Sequence, residues 1–291
     1  MSAAIQTKGR FAVVPGGGSL GAYVTGLDLS RALDGEEVAK LRGALLDHLV
    51  VALPDQKMTL EDIERLTDQL GGRDATPFVK PMEGHPFVIR ILKEPHEKLN
   101  FANAWHTDLS YLAAPPSFTL LYCLESPPAG GDTIWANQYM AYDNLSAGLR
   151  ETLTGLDAVH SAGMAYGDGG YLDGVKHLMS TVIEPSKDAR AEHTHPVTIA
   201  HAETGRPALF VNPVYTTRIA GWSNAESAGL LGHLYKHGVN ENFTWRLKWA
   251  PGTLAIWDNR CTQHFAMNDY HGHRREMVRT SVKGSEPARA A

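Results

Sequence analysis

The residues "NAWHTDLSY", Asn103 to Tyr111, place a histidine and an aspartate two positions apart. Residues i and i+2 of a strand point to the same face. On a strand, His106 and Asp108 converge on one point while Thr107 turns away. Three readings fit such a pair: a surface pair, a hydrogen-bonded core pair, or two thirds of a metal site. An isolated H-x-D is common enough to favour the second.

A third ligand must come from a distance, and the chain offers 14 histidines. His193/His195 and His271/His273 are i,i+2 pairs with no acid at a persuasive spacing. His233/His237 is an i,i+4 pair that lacks the glutamate of H-E-x-x-H, so zinc-protease chemistry is not supported. These pairs read as surface or structural histidines. His264, in "IWDNRCTQHFAMNDY", follows an apolar strand and a polar turn, where a side chain can reach a barrel interior.

Downstream, "RREMVRTSV" alternates. If Met277 points inward, Arg275 and Arg279 do too. Guanidinium groups do not deprotonate to escape burial. A buried charge that lacks its partner costs about 3–5 kcal/mol. That face has no local acids, so two bound anions account for the pair, with exposure or distant carboxylates as the alternative.

The elements that must position these residues follow from local signals. "DGEEVAKLRGALLDH" carries Asp34 and Glu37 as a capping box with apolar residues at helical spacing. "LVVAL" reads as a strand ended by Pro54, and "TLEDIERLTDQLGG" as a helix from Thr59/Asp62 to a Gly71 stop. "NLSAGLRETLTGL" and "NAESAGLLGHLYKHG" read as two more helices. Residues 161–190, rich in glycine, read as an ordered loop or a lid, and the polar tail over 285–291 as disordered. Helices are few and peripheral while strands recur throughout. This predicts a mainly β chain: a jelly-roll with helices outside, as one domain over 1–291.

"GGGSLG" at 16–21 matches G-x-G-x-x-G literally. "AYVTGLDLS" follows it, with β-branched and aromatic residues rather than an opening helix. The stretch reads as a turn between strands, not a pyrophosphate loop.

Composition excludes several classes. The 291 residues are 43% hydrophobic and 20% charged, with net charge −5 and no basic stripe for nucleic acid or anionic membrane. "LVVALP" is too short to span a bilayer, and "MSAAIQTKGRF" has no signal-peptide core. Two cysteines, Cys123 and Cys261, make no disulfide framework. The expectation is a reduced, cytoplasmic protein.

H-x-D at 106, "GGDT" at 130–133, "WDNR-x3-H" at 257–264 and "RR-x3-R" at 274–279 together resemble the taurine/phenoxyacetate dioxygenase family, and the likeness runs over nearly the whole chain. It implies a double-stranded β-helix and an Fe(II)- and 2-oxoglutarate-dependent enzyme that consumes O2. It implies that His106, Asp108 and His264 hold the iron, that Thr133 and Arg275 hold the far carboxylate of 2-oxoglutarate, and that Arg279 receives the substrate's acid group. It implies a homo-oligomer, dimer or tetramer.

Where the taurine enzyme reads its substrate's amino end, this chain has Thr76, Val79 and Ala102, which are smaller or less polar. An arginine facing apolar walls suits a small hydrophobic anion. "TPFVKPMEGHP" and "HSA" at 160–162 look closer to the aryloxypropionate enzymes, which points to an aryloxyalkanoate. An alkyl sulfate ester or alkanesulfonate is the alternative, and a non-catalytic jelly-roll binding protein the alternative of another class.

Overall fold

A computed structural model describes residues 11–290; the opening stretch "MSAAIQTKGRF" therefore lies, but for Phe11, outside the described residues. The core is a nine-stranded sheet. Its centre sets Val50–Leu53, Leu254–Asp258, Phe118–Glu125, Arg275–Val282 and His85–Lys93 side by side, all antiparallel. Three smaller sheets lie outside it, and one of them sets Thr133–Asn137 between Thr244–Leu247 and Thr262–Ala266.

Strand parity divides the apolar residues into two layers. Leu120, Tyr122, Ile256, Val278 and Val282 face one side, where the helices Gly35–His48 and Leu60–Leu70 cover them with Leu41, Leu45, Ile63 and Leu66. Both helices carry the expected capping boxes, Asp34 with Glu37 and Thr59 with Asp62. Leu121, Cys123, Ala255, Trp257 and Met277 face the other side and pack against Trp135, Trp245 and Phe210 from the smaller sheets. The expected alternation of the last long strand holds. The Thr280 hydroxyl meets that of Thr67 on the helix side at 2.7 Å, while Arg275 and Arg279 are buried on the inner side.

The glycine turn at 16–21 joins the strands Ala12–Pro15 and Ala22–Thr25, as expected, and no helix opens there. Its role is spatial. A Cβ on Gly21, which sits at φ +87°, would lie 2.2 Å from the Trp245 ring. Trp245 begins a run of rings into the interior: Trp135 at 5.8 Å, Trp257 at a further 5.6 Å, and His264 at 4.8 Å beyond that.

Two expectations need correction. The tail is not disordered among the described residues: Ala288–Arg289 pairs with Thr198–Ala200, and Arg289 donates to the backbone carbonyls of Thr154 and Leu156. Backbone pairing and a long cationic side chain anchor a segment whose composition is polar. The H-x-D motif is also not on a strand. His106 makes one isolated bridge to His264, and the chain turns at once through Leu109 at φ +51°.

Residues 161–190 form short helices, Gly163–Tyr166 and Tyr171–Val175, followed by 3-10 turns. No helix of the described residues is long and apolar enough to cross a membrane.

Replacing Gly21 by alanine strains a left-handed backbone and drives a methyl into a packed indole, at a cost of about 3 kcal/mol. Urea denaturation is expected to show that loss for Gly21→Ala. Gly18→Ala, where nothing lies within 4 Å of the added carbon, is expected to show little.

Candidate metal centre

His106 and His264 are held together by their own backbones. Each amide donates to the other's carbonyl, at 3.1 and 2.8 Å. Their ring centroids lie 4.1 Å apart. Asp108 Oδ1 is 3.6 Å from His106 Nε2 and 3.9 Å from His264 Nε2. The donor atoms of all three residues lie within 4.8 Å of one another, and all three residues are buried. Thr107 turns away and donates to the Thr262 carbonyl at 2.9 Å.

The chemistry of the donors fits a divalent cation. His106 Nδ1 sits 2.7 Å from the Ala104 carbonyl. A carbonyl only accepts, so Nδ1 carries the hydrogen and Nε2 presents its lone pair. Burial first, then the neighbouring His106, pushes His264 well below the ordinary histidine range and keeps it neutral. Burial alone would raise the Asp108 carboxyl. The Arg279 guanidinium outweighs it and holds the group well below the usual range, hence ionised. Two imidazoles and one carboxylate form a set that binds iron(II) and leaves coordination positions open.

Asp108 is itself positioned by a chain of hydrogen bonds. Thr119 Oγ1 donates to Oδ2 at 2.8 Å, Asn259 Nδ2 donates to Thr119 at 2.8 Å, and Trp257 Nε1 donates to Asn259 Oδ1 at 3.0 Å. None of Thr119, Asn259 and Trp257 stands out in the sequence as a partner of Asp108. The signal for Asn259 was present in "WDNR", but its partner lies 140 positions away.

A second group of possible ligands, His201, Asp258 and Cys261, does not offer a metal site. The Asp258 carboxylate already accepts from His201 at 2.9 Å and from Arg260 at 2.6 and 2.8 Å. His193/His195, His233/His237 and His271/His273 join no such group among the described residues.

Two cavities meet at the centre, sharing Phe101, Ala102, His106 and Arg279. The smaller runs past His264 to Thr133 and Arg275. Arg275 is 5% exposed, donates through Nε to the Gly131 carbonyl at 3.1 Å, and leaves Nη2 without a partner. Thr133 accepts from Trp249 Nε1 at 2.9 Å, so its own hydroxyl proton remains free to donate. The larger cavity, about 250 Å³, has Asp108 and Arg279 beside apolar walls from Leu109, Met164, Leu172 and Val214. Arg279 Nη2 lies 3.2 Å from Asp108 Oδ1. Thr76 and Val79 line neither cavity. Val79 packs instead in an apolar cluster with Ile89, Tyr111 and Ile183.

A jelly-roll with two histidines and a carboxylate beside an arginine-ended slot defines a mononuclear non-haem oxygenase. The chain belongs to the taurine catabolism dioxygenase TauD, TfdA family, whose model matches residues 12–281. It is 33% identical to an alpha-ketoglutarate-dependent sulfate ester dioxygenase of Pseudomonas putida, over 94% of this chain and 90% of that one. It is 32% identical to an alkylsulfatase of Acinetobacter baylyi, over 92% and 83%. Among solved structures, a putative alpha-ketoglutarate-dependent taurine dioxygenase from Burkholderia xenovorans superposes with a TM-score of 0.81 at 33% identity, covering 96% of this chain and 95% of that one. The protein is an Fe(II)- and 2-oxoglutarate-dependent dioxygenase that uses O2 and acts on a small molecule.

Thr119→Val removes the hydroxyl that orients Asp108 and leaves the three ligands in place. Iron(II) affinity, read by anaerobic titration, is expected to fall about 10- to 100-fold.

Proposed function

We propose that the protein oxidises an organic anion with an apolar tail, of the sulfate ester or sulfonate class. The observation that carries this reading is Arg279, a buried guanidinium whose Nε and Nη2 make no hydrogen bond, at an apolar cavity beside the metal ligands. The names of the two relatives matched over most of their length shift the preference from the aryloxyalkanoate first expected to sulfate esters.

His106, Asp108 and His264 hold the iron. When bound, the iron with 2-oxoglutarate and O2 supplies hydroxylation of a C–H bond, and 2-oxoglutarate leaves as succinate and CO2. Arg275 and Thr133 take the far carboxylate of 2-oxoglutarate, Arg275 through its free Nη2 and Thr133 through its free proton. Arg279 fixes the substrate's anionic head, so that the carbon next to it lies toward the metal. Ala102, which lines both cavities, lets substrate and cosubstrate approach each other. The apolar wall excludes water from the reacting carbon. In a sulfate ester the hydroxylated carbon also bears the ester oxygen, and it collapses to an aldehyde and free sulfate.

The test is a product assay with hexyl sulfate, Fe(II), 2-oxoglutarate and O2. Succinate and sulfate are expected in equal amounts, and succinate without sulfate would sink the substrate class. Arg279→Leu is expected to raise the KM for hexyl sulfate at least tenfold with the KM for 2-oxoglutarate little changed, and Arg275→Leu the reverse. Equal effects of both on 2-oxoglutarate would show the roles to be wrongly divided. His106→Ala or His264→Ala is expected to abolish succinate formation.

A further inference from the structure

Around Arg279 the fold gathers more hydrogen-bond donors than a carboxylate needs. Arg279 Nε and Nη2 are buried and make no hydrogen bond, although Nη2 also lies 3.2 Å from Asp108 Oδ1 as an ion pair. They form one edge of the guanidinium, the geometry that takes two oxygens of an anion side by side. Two tyrosines share the larger cavity with this edge, and a third packs against one of them. Tyr166 and Tyr215 line the larger cavity with Arg279, and their hydroxyls share a hydrogen bond. One bond uses one of their two protons, so the pair has a proton left to donate. Tyr111 packs edge-on to Tyr215 at 4.8 Å, and its hydroxyl is buried with no partner. Arg279 acts electrostatically on both Tyr111 and Tyr166.

All three phenols remain protonated donors. Burial pushes Tyr111 and Tyr215 well above the ordinary tyrosine range and Tyr166 up to about 12. An unsatisfied buried donor is unfavourable enough that native folds rarely keep one without use.

We propose that the Tyr111, Tyr166 and Tyr215 hydroxyls are specificity-determining groups that bind the third oxygen of a sulfate or sulfonate head whose other two oxygens sit on Arg279. The proposal rests on the substrate class given above and adds the residues that read it. A planar carboxylate has only two oxygens, and the guanidinium edge occupies both. A head with three terminal oxygens turns the third away from that edge. The tyrosines come from three separate segments: the turn after Asp108, the helix Gly163–Tyr166, and the loop that carries Tyr215. Donors from several sides suit a tetrahedral head. A residue on one side only would serve a planar one equally well.

The experiment compares hexyl sulfate with octanoate, in which a methylene replaces the ester oxygen. Both are bound anaerobically to the Fe(II)- and 2-oxoglutarate-loaded protein, then turned over in air. Tyr111→Phe, Tyr166→Phe and Tyr215→Phe each keep the ring and delete one hydroxyl. At least one is expected to weaken hexyl sulfate binding about tenfold or more, with octanoate binding changed less than twofold. Heptanesulfonate, which also has three oxygens, is expected to follow hexyl sulfate. The KM for 2-oxoglutarate and the melting temperature identify a variant that has lost its fold. If the wild type turns over octanoate but neither sulfate nor sulfonate, the substrate class itself fails. If the wild type turns over hexyl sulfate and none of the three variants weakens its binding selectively, the tyrosine proposal alone is overturned.

Discussion

The centre depends on one pair of backbone hydrogen bonds, the exchange between His106 and His264. One partner is a loop residue and the other belongs to a strand. A loop of this kind gains little order from its own sequence. Pinned at one residue to a strand that is itself paired along its length with Thr133–Asn137, it takes its position from the sheet. The turn at Leu109 then swings the chain away immediately. Asp108 therefore needs separate support, which Thr119 and Asn259 give from two different strands or their ends.

The strand Arg275–Val282 sets the spacing of the two anion subsites. Arg275 and Arg279 are four residues apart on the same face, about 13 Å along an extended chain. Arg275 lines only the smaller cavity, past His264, while Arg279 lines that cavity and the larger apolar one. Among the described residues Arg275 joins no ion pair, and Arg279 pairs only with the metal ligand Asp108. The charge that burial would otherwise make costly is thereby reserved for ligands.

Much of this was legible in the sequence, where the information is local or periodic. Asp34 with Glu37 and Thr59 with Asp62 define helix starts by hydrogen bonds that span three residues, and both appear as read. The inward pair of arginines follows from a period of two anchored on one methionine. Contacts that bridge distant segments were not legible. Thr119 and Asn259 are ordinary residues until the fold brings them to Asp108. Tyr111, Tyr166 and Tyr215 look like core aromatics until the fold sets Tyr166 and Tyr215 in the cavity with Arg279 and leaves the Tyr111 hydroxyl buried without a partner. The tail failed as a reading because its composition says nothing of the distant strand Thr198–Ala200 that accepts it. The H-x-D pair was read correctly in direction but on the wrong element, since a single bridge aims its side chains as a strand does.

The parity of the strand Arg275–Val282 has a consequence for how such an enzyme changes over generations. Among its odd-numbered positions Arg275 and Arg279 line the cavities at the metal centre, and among its even-numbered ones Val278 and Val282 face the helix layer that holds the sheet. Substrate preference and thermal robustness are thus written on alternate letters of one short word. Selection can revise either set with little effect on the other, while loss or gain of a single residue there would exchange the two and destroy both at once.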